Sequence, residues 1–132
     1  MRRIGWAAAL LATAVWAESY VYFNQGRRIL LTPVTEAGAA LRGAVSGGVA
    51  MRDDEGREVI VSRRILLKGE ASEALMQEIE ALGLRVLRRW DGGRMLLEAA
   101  SPEAALEAAA RLHDLLGVVY AQPDTIRPRR LR

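Results

Sequence analysis

From Glu58 onward the apolar positions switch between a period of two and a period near that of a helix. Val59, Val61, Ile65 and Leu67 fall on one side of a strand, while Ile60, Ser62, Arg64, Leu66 and Lys68 face the other way. Ser72 then precedes a stretch in which Leu75, Ile79 and Leu82 recur at helical spacing beside Met76. Gly83 stands where a helix stop is expected. Leu84 to Trp90 alternates again, with Leu84, Val86 and Trp90 on one side. Asp91-Gly92-Gly93 supplies residues that tolerate positive φ, as a tight hairpin demands, and Arg94 to Ala99 returns as the partner strand. Ser101-Pro102-Glu103 has the marks of a helix start: a capping hydroxyl, a proline at the first helical position and an acid near the positive helix end. Ala105, Ala109, Leu112 and Leu116 share one face of this helix. Glu103, Glu107 and Arg111 share the opposite face, the last two spaced to pair. Gly117 closes the helix, Val118 to Ala121 begins a last strand, and Pro123 is expected to end regular pairing.

Strand, helix, strand, strand, helix, strand predicts an α+β fold of the ferredoxin-like βαββαβ type. Its four-stranded antiparallel sheet carries two helices on one face, which buries the apolar stripes of both. The pattern assigns residues 57–126 to this domain. Upstream, Tyr20-Val21-Tyr22-Phe23, the turn signal Asn24-Gln25-Gly26 and Arg27 to Leu31 predict a short hairpin that Pro33 ends. Ala37 to Gly56 has five glycines and no clear period, and reads as a linker, so residues 18–56 are expected to form an irregular N-terminal extension.

The first residues change the picture of where the domain works. Arg2 and Arg3 lead an apolar run from Ile4 to Val15, with two candidate cleavage sites of the small-x-small kind, Ala12-Thr13-Ala14 and Val15-Trp16-Ala17, the second favoured. This is the pattern of a secretory signal peptide over residues 1–17, and it predicts a secreted or periplasmic protein free of the membrane once the leader is cleaved. An uncleaved leader acting as an anchor is the alternative. Loss of Arg2 and Arg3 lowers the formal net charge from +3 to +1. Arg127, Arg129, Arg130 and Arg132 then form a basic tail over residues 127–132, behind a slightly acidic body. Nucleic-acid binding calls for a basic face with stacking or hydrogen-bonding partners, which the sequence does not display, so no nucleic-acid partner is expected. The chain has no cysteine, which removes thiolate metal sites and thiol nucleophiles.

Candidate chemistry is thin. His113 is the only histidine and lies at the edge of an apolar helical stripe. A triad would have to join it to Ser62 or Ser101 with Asp114, and Ser101 is already explained as a helix cap. Asp53 and Asp54 fall in the segment read as a linker, where nothing is expected to hold a geometry. No catalytic, metal or cofactor-binding residues are therefore assigned, and the chain is not expected to be an enzyme. What remains is a surface. If Val59, Val61, Ile65 and Leu67 face the helices, then Leu66, Leu87 and Leu96 lie on the open side of the sheet, with Tyr120 or Val119 beside them. Apolar residues contiguous across neighbouring strands suggest docking.

Three segments carry a family resemblance: Arg64-Ile65-Leu66-Leu67-Lys68-Gly69, Ala81-Leu82-Gly83-Leu84-Arg85-Val86 and Gly117-Val118-Val119-Tyr120-Ala121-Gln122-Pro123-Asp124. Together they resemble the N-terminal prodomains of subtilisin-like serine proteases, over Glu58 to Ile126. Tyr20 to Pro33 is also similar to a lead-in found before some of these prodomains. The resemblance implies a ferredoxin-like domain that assists folding of the protease and then inhibits it. It implies a protease-docking face made by Leu66, Leu87, Leu96 and Tyr120. It also implies a tail of Thr125, Ile126, Arg127, Pro128, Arg129 and Arg130 lying along the protease cleft like a substrate. Pro128 departs from an ideal inhibitor strand, which needs its backbone N–H groups. A chain ending at Arg132 would be a free-standing inhibitor or a precursor without its catalytic domain. Fold alone does not fix function, so an exported ligand-sensing or structural module is the other expectation.

Overall fold

A computed structural model describes residues 19–24, 26–45 and 47–126. The leader expected over residues 1–17 and the tail residues Arg127, Pro128, Arg129 and Arg130 lie outside the described residues. Along the chain come β1 (Tyr20–Asn24), β2 (Arg27–Pro33), α1 (Ala37–Val45), β3 (Val49–Arg52), β4 (Glu58–Gly69), α2 (Glu73–Ala81), β5 (Arg85–Trp90), β6 (Arg94–Glu98), α3 (Pro102–His113) and β7 (Val118–Ile126).

This architecture corrects the expected fold class. The domain is α+β, but in place of a four-stranded sheet with two helices it has seven antiparallel strands curled into a half-barrel, with three helices among the described residues. The 12-residue strand β4 accounts for the difference. Along one edge its first residues, Glu58 to Val61, pair with β3, and Arg64 to Lys68 pair with β6. Its other edge pairs with β7 from Ile60 to Gly69. The β3 side continues into β2 and β1, so the segment expected to be a hairpin and a linker supplies three strands and a helix of the same structure.

Alternation along β4 feeds two cores on the inner side of the sheet. Ile65 and Leu67 meet Leu75 and Ile79 of α2 and Ala105, Ala109 and Leu112 of α3. Val59 and Val61 meet Tyr22, Ile29, Leu31, Met51 and Leu106. Leu106 is thus one point where α3 reaches over to the β1–β2 hairpin. Ala50 and Ile60 point the opposite way and are also buried, because α1 lies against that end of the outer side with Ala39 and Gly43 inward. Gly43 admits this contact: a Cβ there would stand 2.7 Å from the Ala50 nitrogen.

The helix starts follow the caps. The Ser72 hydroxyl accepts from the Leu75 N–H, and the Ser101 hydroxyl from the Ala104 N–H. Three details differ from the expectations. α3 ends at His113, so Leu116 lies beyond the apolar stripe and is fully exposed. Arg111 pairs with Glu78 of α2 at 3.1 Å instead of with Glu107, which ties the two helices together. Finally, β7 runs through Pro123, which pairs with Ile65. Among the described strands β7 has only β4 as a partner, and an edge strand tolerates a proline whose missing N–H falls on its unpaired side.

Candidate docking surface

The outer side of β7, β4, β6 and β5 is where the predicted docking residues meet. Cross-strand register arranges this face in rows. One row reads Trp90, Arg94, Lys68 and Tyr120, each residue opposite the next. The row beside it reads Arg88, Leu96, Leu66 and Gln122, and the next joins Arg85, Glu98 and Arg64. Leu66 and Leu96 are therefore direct cross-strand partners, half-buried by their neighbours, with Tyr120 diagonal to Leu66 on β7. Helices α2 and α3 pack on the reverse side, and α1 packs chiefly on β3 and the beginning of β4.

Leu87 sits differently. Val86 pairs with Leu97 and Arg88 with Leu96, so Leu87 is the extra residue of a bulge and opposes no residue of β6. The bulge also shifts the alternation of β5. Trp90, expected on the side of Leu84 and Val86, instead stands on the outer face opposite Arg94, with the Arg88 guanidinium 5.1 Å from its ring centroid. The signal was present in the hairpin: an Asp91-Gly92-Gly93 loop sets Trp90 directly against Arg94, a residue that belongs in water. Arg88, Arg94 and Gln122 are likewise members of the face that periodicity alone did not single out, and they join Lys68, which alternation had put on this side. Basic and aromatic side chains that are spread thinly along the sequence come together here.

At the α1 end of the face is a polar notch of about 290 Å³, lined by Gly47, Ser62, Arg64, Glu98, Asp124 and Ile126. Here β4 changes partner from β3 to β6 and its register against β7 shifts. Ser62 staples the irregularity: its hydroxyl donates to the Asp124 carbonyl at 3.0 Å and accepts from the Arg64 N–H at 3.1 Å. Glu98 takes Arg85 at 2.7 Å and Arg63 at 3.8 Å.

The residues considered for catalysis do not converge. Ser62 belongs to the outer face, Ser101 caps one end of α3, and His113 ends the same helix roughly 18 Å further on by helical rise. His113 is a half-buried boundary residue at the end of the helix, as its place at the edge of the apolar stripe implied, and not a solvated one. Its ring stacks on Phe23 of β1 at 3.9 Å between centroids and 4° between planes, and its Nδ1 is buried without a hydrogen-bond partner. Asp53 also differs from expectation, because the β3–β4 turn holds it firmly. Its carboxylate accepts from the N–H groups of Glu55 and Arg57 and pairs with the Arg57 side chain at 3.1 Å. Burial alone would push the Asp53 carboxyl upward, but these hydrogen bonds together outweigh it and hold the group below the usual carboxylate range. The hydrogen bond from Arg42 of α1 holds Glu58 low in the same way, the two side chains meeting at 2.6 Å. Of the predicted cleft tail, Thr125 and Ile126 are still strand, paired with Val61 and Ile60, and the remaining members lie outside the described residues.

Comparison with family models, with curated proteins and with solved structures finds no match to this chain.

Proposed function

We propose that this is an exported propeptide-like inhibitor and folding chaperone of a subtilisin-like serine protease. It docks through the outer face of β7, β4, β6 and β5 and directs the chain after Ile126 into the protease cleft. The observation that carries the reading is the continuity of that face. Leu66 and Leu96 are direct partners at its centre, Tyr120 flanks them, and the same strand that bears Tyr120 leads out to the tail. Apolar residues contiguous across neighbouring strands favour protein docking over isolated surface exposure. Removing that area from water contributes about 25 cal/mol per Å². The sequence resemblance over Glu58 to Ile126 names the partner class.

The test is steady-state inhibition of a panel of subtilisin-like proteases by the full chain. Inhibition competitive with a peptide substrate is expected. Deleting residues 127–132, which leaves β7 intact, should remove competition for the cleft while weak binding through the sheet persists. Leu66→Asp or Leu96→Asp should weaken inhibition with little loss of fold stability, because both side chains border water in the free domain. An intact chain that inhibits no member of the panel would discard this function and leave only the fold.

A further inference from the structure

The hairpin end of the docking face, one row from Leu66 and Leu96, holds two like charges side by side. Lys68 of β4 and Arg94 of β6 are direct cross-strand partners, and both are exposed. Same-face partners in such a pair stand with their Cβ atoms about 4.5–5.5 Å apart, and like charges placed there repel. No ion pair relieves either one among the described residues. Glu70 and Asp91, the acids near this end of the sheet, pair with neither. Glu98, on the same face, is already engaged by Arg85 and Arg63. The residues that continue the row are aromatic, Trp90 on one side and Tyr120 on the other. Arg88, over Trp90, adds a further positive charge at the β5 edge.

Two uncompensated cations between two aromatic rings form a receptor for one anionic group presented on an apolar surface. We infer that the row Trp90–Arg94–Lys68–Tyr120 receives a carboxylate side chain of the protease, seated between the Lys68 ammonium and the Arg94 guanidinium. This rests on the docking function proposed above and adds to it the chemistry of the partner surface: acidic at one point, apolar around it. A carboxylate at that position cancels the repulsion that the free domain carries. It also speeds encounter, as complementary charges at interfaces do.

Free-domain stability and inhibition should respond to the same substitution in opposite senses. Lys68→Glu places opposite charges across β4 and β6, so the thermal midpoint of the full chain should stay level or rise. The same substitution, and Arg94→Glu, should weaken inhibition of a protease that the wild-type chain inhibits by about tenfold or more, with the difference shrinking as salt is raised to about 0.5 M. Leu66→Asp serves as the control for docking itself. If both reversals leave inhibition unchanged while Leu66→Asp weakens it, the carboxylate receptor is overturned and the docking reading stands. If the wild-type chain inhibits nothing, both fall. A lower thermal midpoint for Lys68→Glu overturns the premise of repulsion. Binding of a single-stranded oligonucleotide that the reversals abolish, in place of protease inhibition, assigns the row to nucleic acid and overturns the proposal.

Discussion

Leu30 and Leu31 are neighbours in β2 that lie on opposite sides of the strand, and they give a direct measure of whether the N-terminal segment belongs to the core. Leu31 has no exposed surface and packs with Tyr22, Met51, Val59, Val61 and Leu106, whereas Leu30 is 43% exposed. Leu31→Ala removes a large side chain from a closed cluster and leaves a cavity. Such changes cost about 2–5 kcal/mol, a large part of the 5–15 kcal/mol or so that stabilises an ordinary domain. For a domain near 100 residues each kcal/mol moves the thermal midpoint by roughly 4–8 °C, so a fall of about 8 °C or more is expected. Leu30→Ala changes an exposed position and should stay within about 0.5 kcal/mol. Circular dichroism during thermal and urea unfolding reads both variants, with Leu112→Ala as a reference from the other cluster. The two core variants should each unfold in one transition, since β4 and α3 contribute to both clusters. A Leu31→Ala midpoint equal to that of Leu30→Ala would refute the packing argument and restore a loosely attached extension.

Other expectations follow from the turn, the ring stack and the carboxylates. Asp53→Ala strips the acceptor from two backbone N–H groups and should cost about 1–3 kcal/mol, with Asp53→Asn recovering part of it, as urea titration would reveal. His113→Ala removes the ring stacked on Phe23, and aromatic pairs are worth about 0.5–1.5 kcal/mol beyond their buried area. If Phe23→Ala and the double variant add without coupling, the stack contributes nothing specific. Asp53, Glu55 and Glu58 all have folded-state carboxyls below their ordinary values, Glu55 chiefly through its hydrogen bond with Arg27. Their contribution is therefore fully present above the ordinary carboxylate range near about pH 4 and is lost as pH falls through the lower folded values. Midpoints measured from pH 7 down to pH 3 should drop in acid, and less steeply for Arg42→Ala; a flat profile would count against these pairs.

Both helices of the second half and their hairpin were legible because each signal is local. Ser72 and Ser101 cap, Gly83 stops a helix, and Asp91-Gly92-Gly93 turns a hairpin, whatever surrounds them. The seven-stranded sheet was not legible, since its extra members have weak local signatures. β3 has only 4 residues, and α1 carries glycine at positions 38 and 43, the second demanded by its contact with β3 rather than by the helix. One clue did lie in the pattern. Ile60 is apolar next to Ser62 and Arg64 on the side it shares with Leu66 and Lys68, and it is buried because α1 covers it. For the docking face, strict alternation placed Leu66 and Leu96 and left Tyr120 and Val119 as alternatives, but the bulge at Leu87 reversed the sense of β5 and kept Trp90 hidden from the count. A single inserted residue has no signature in periodicity until the partner strand is known.

The two edges of β4 also set an order in time. Its pairing with β3 closes across a short turn, from Arg52 to Glu58, so this hairpin can form as soon as both strands exist. Pairing with β6 spans some thirty residues, Lys68 to Arg94 at the nearest. Pairing with β7 joins Ile60 to Ile126, the most distant closure that β4 makes. Loops that long must lose their freedom before their contacts give anything back, and such contacts slow folding. Because β7 also comes last in the chain among the described strands, one whole edge of β4 stays unpaired until residue 126 has been made and is free to move. Among the described strands, the one that leads on past residue 126 is also the one whose arrival completes the pairing of β4.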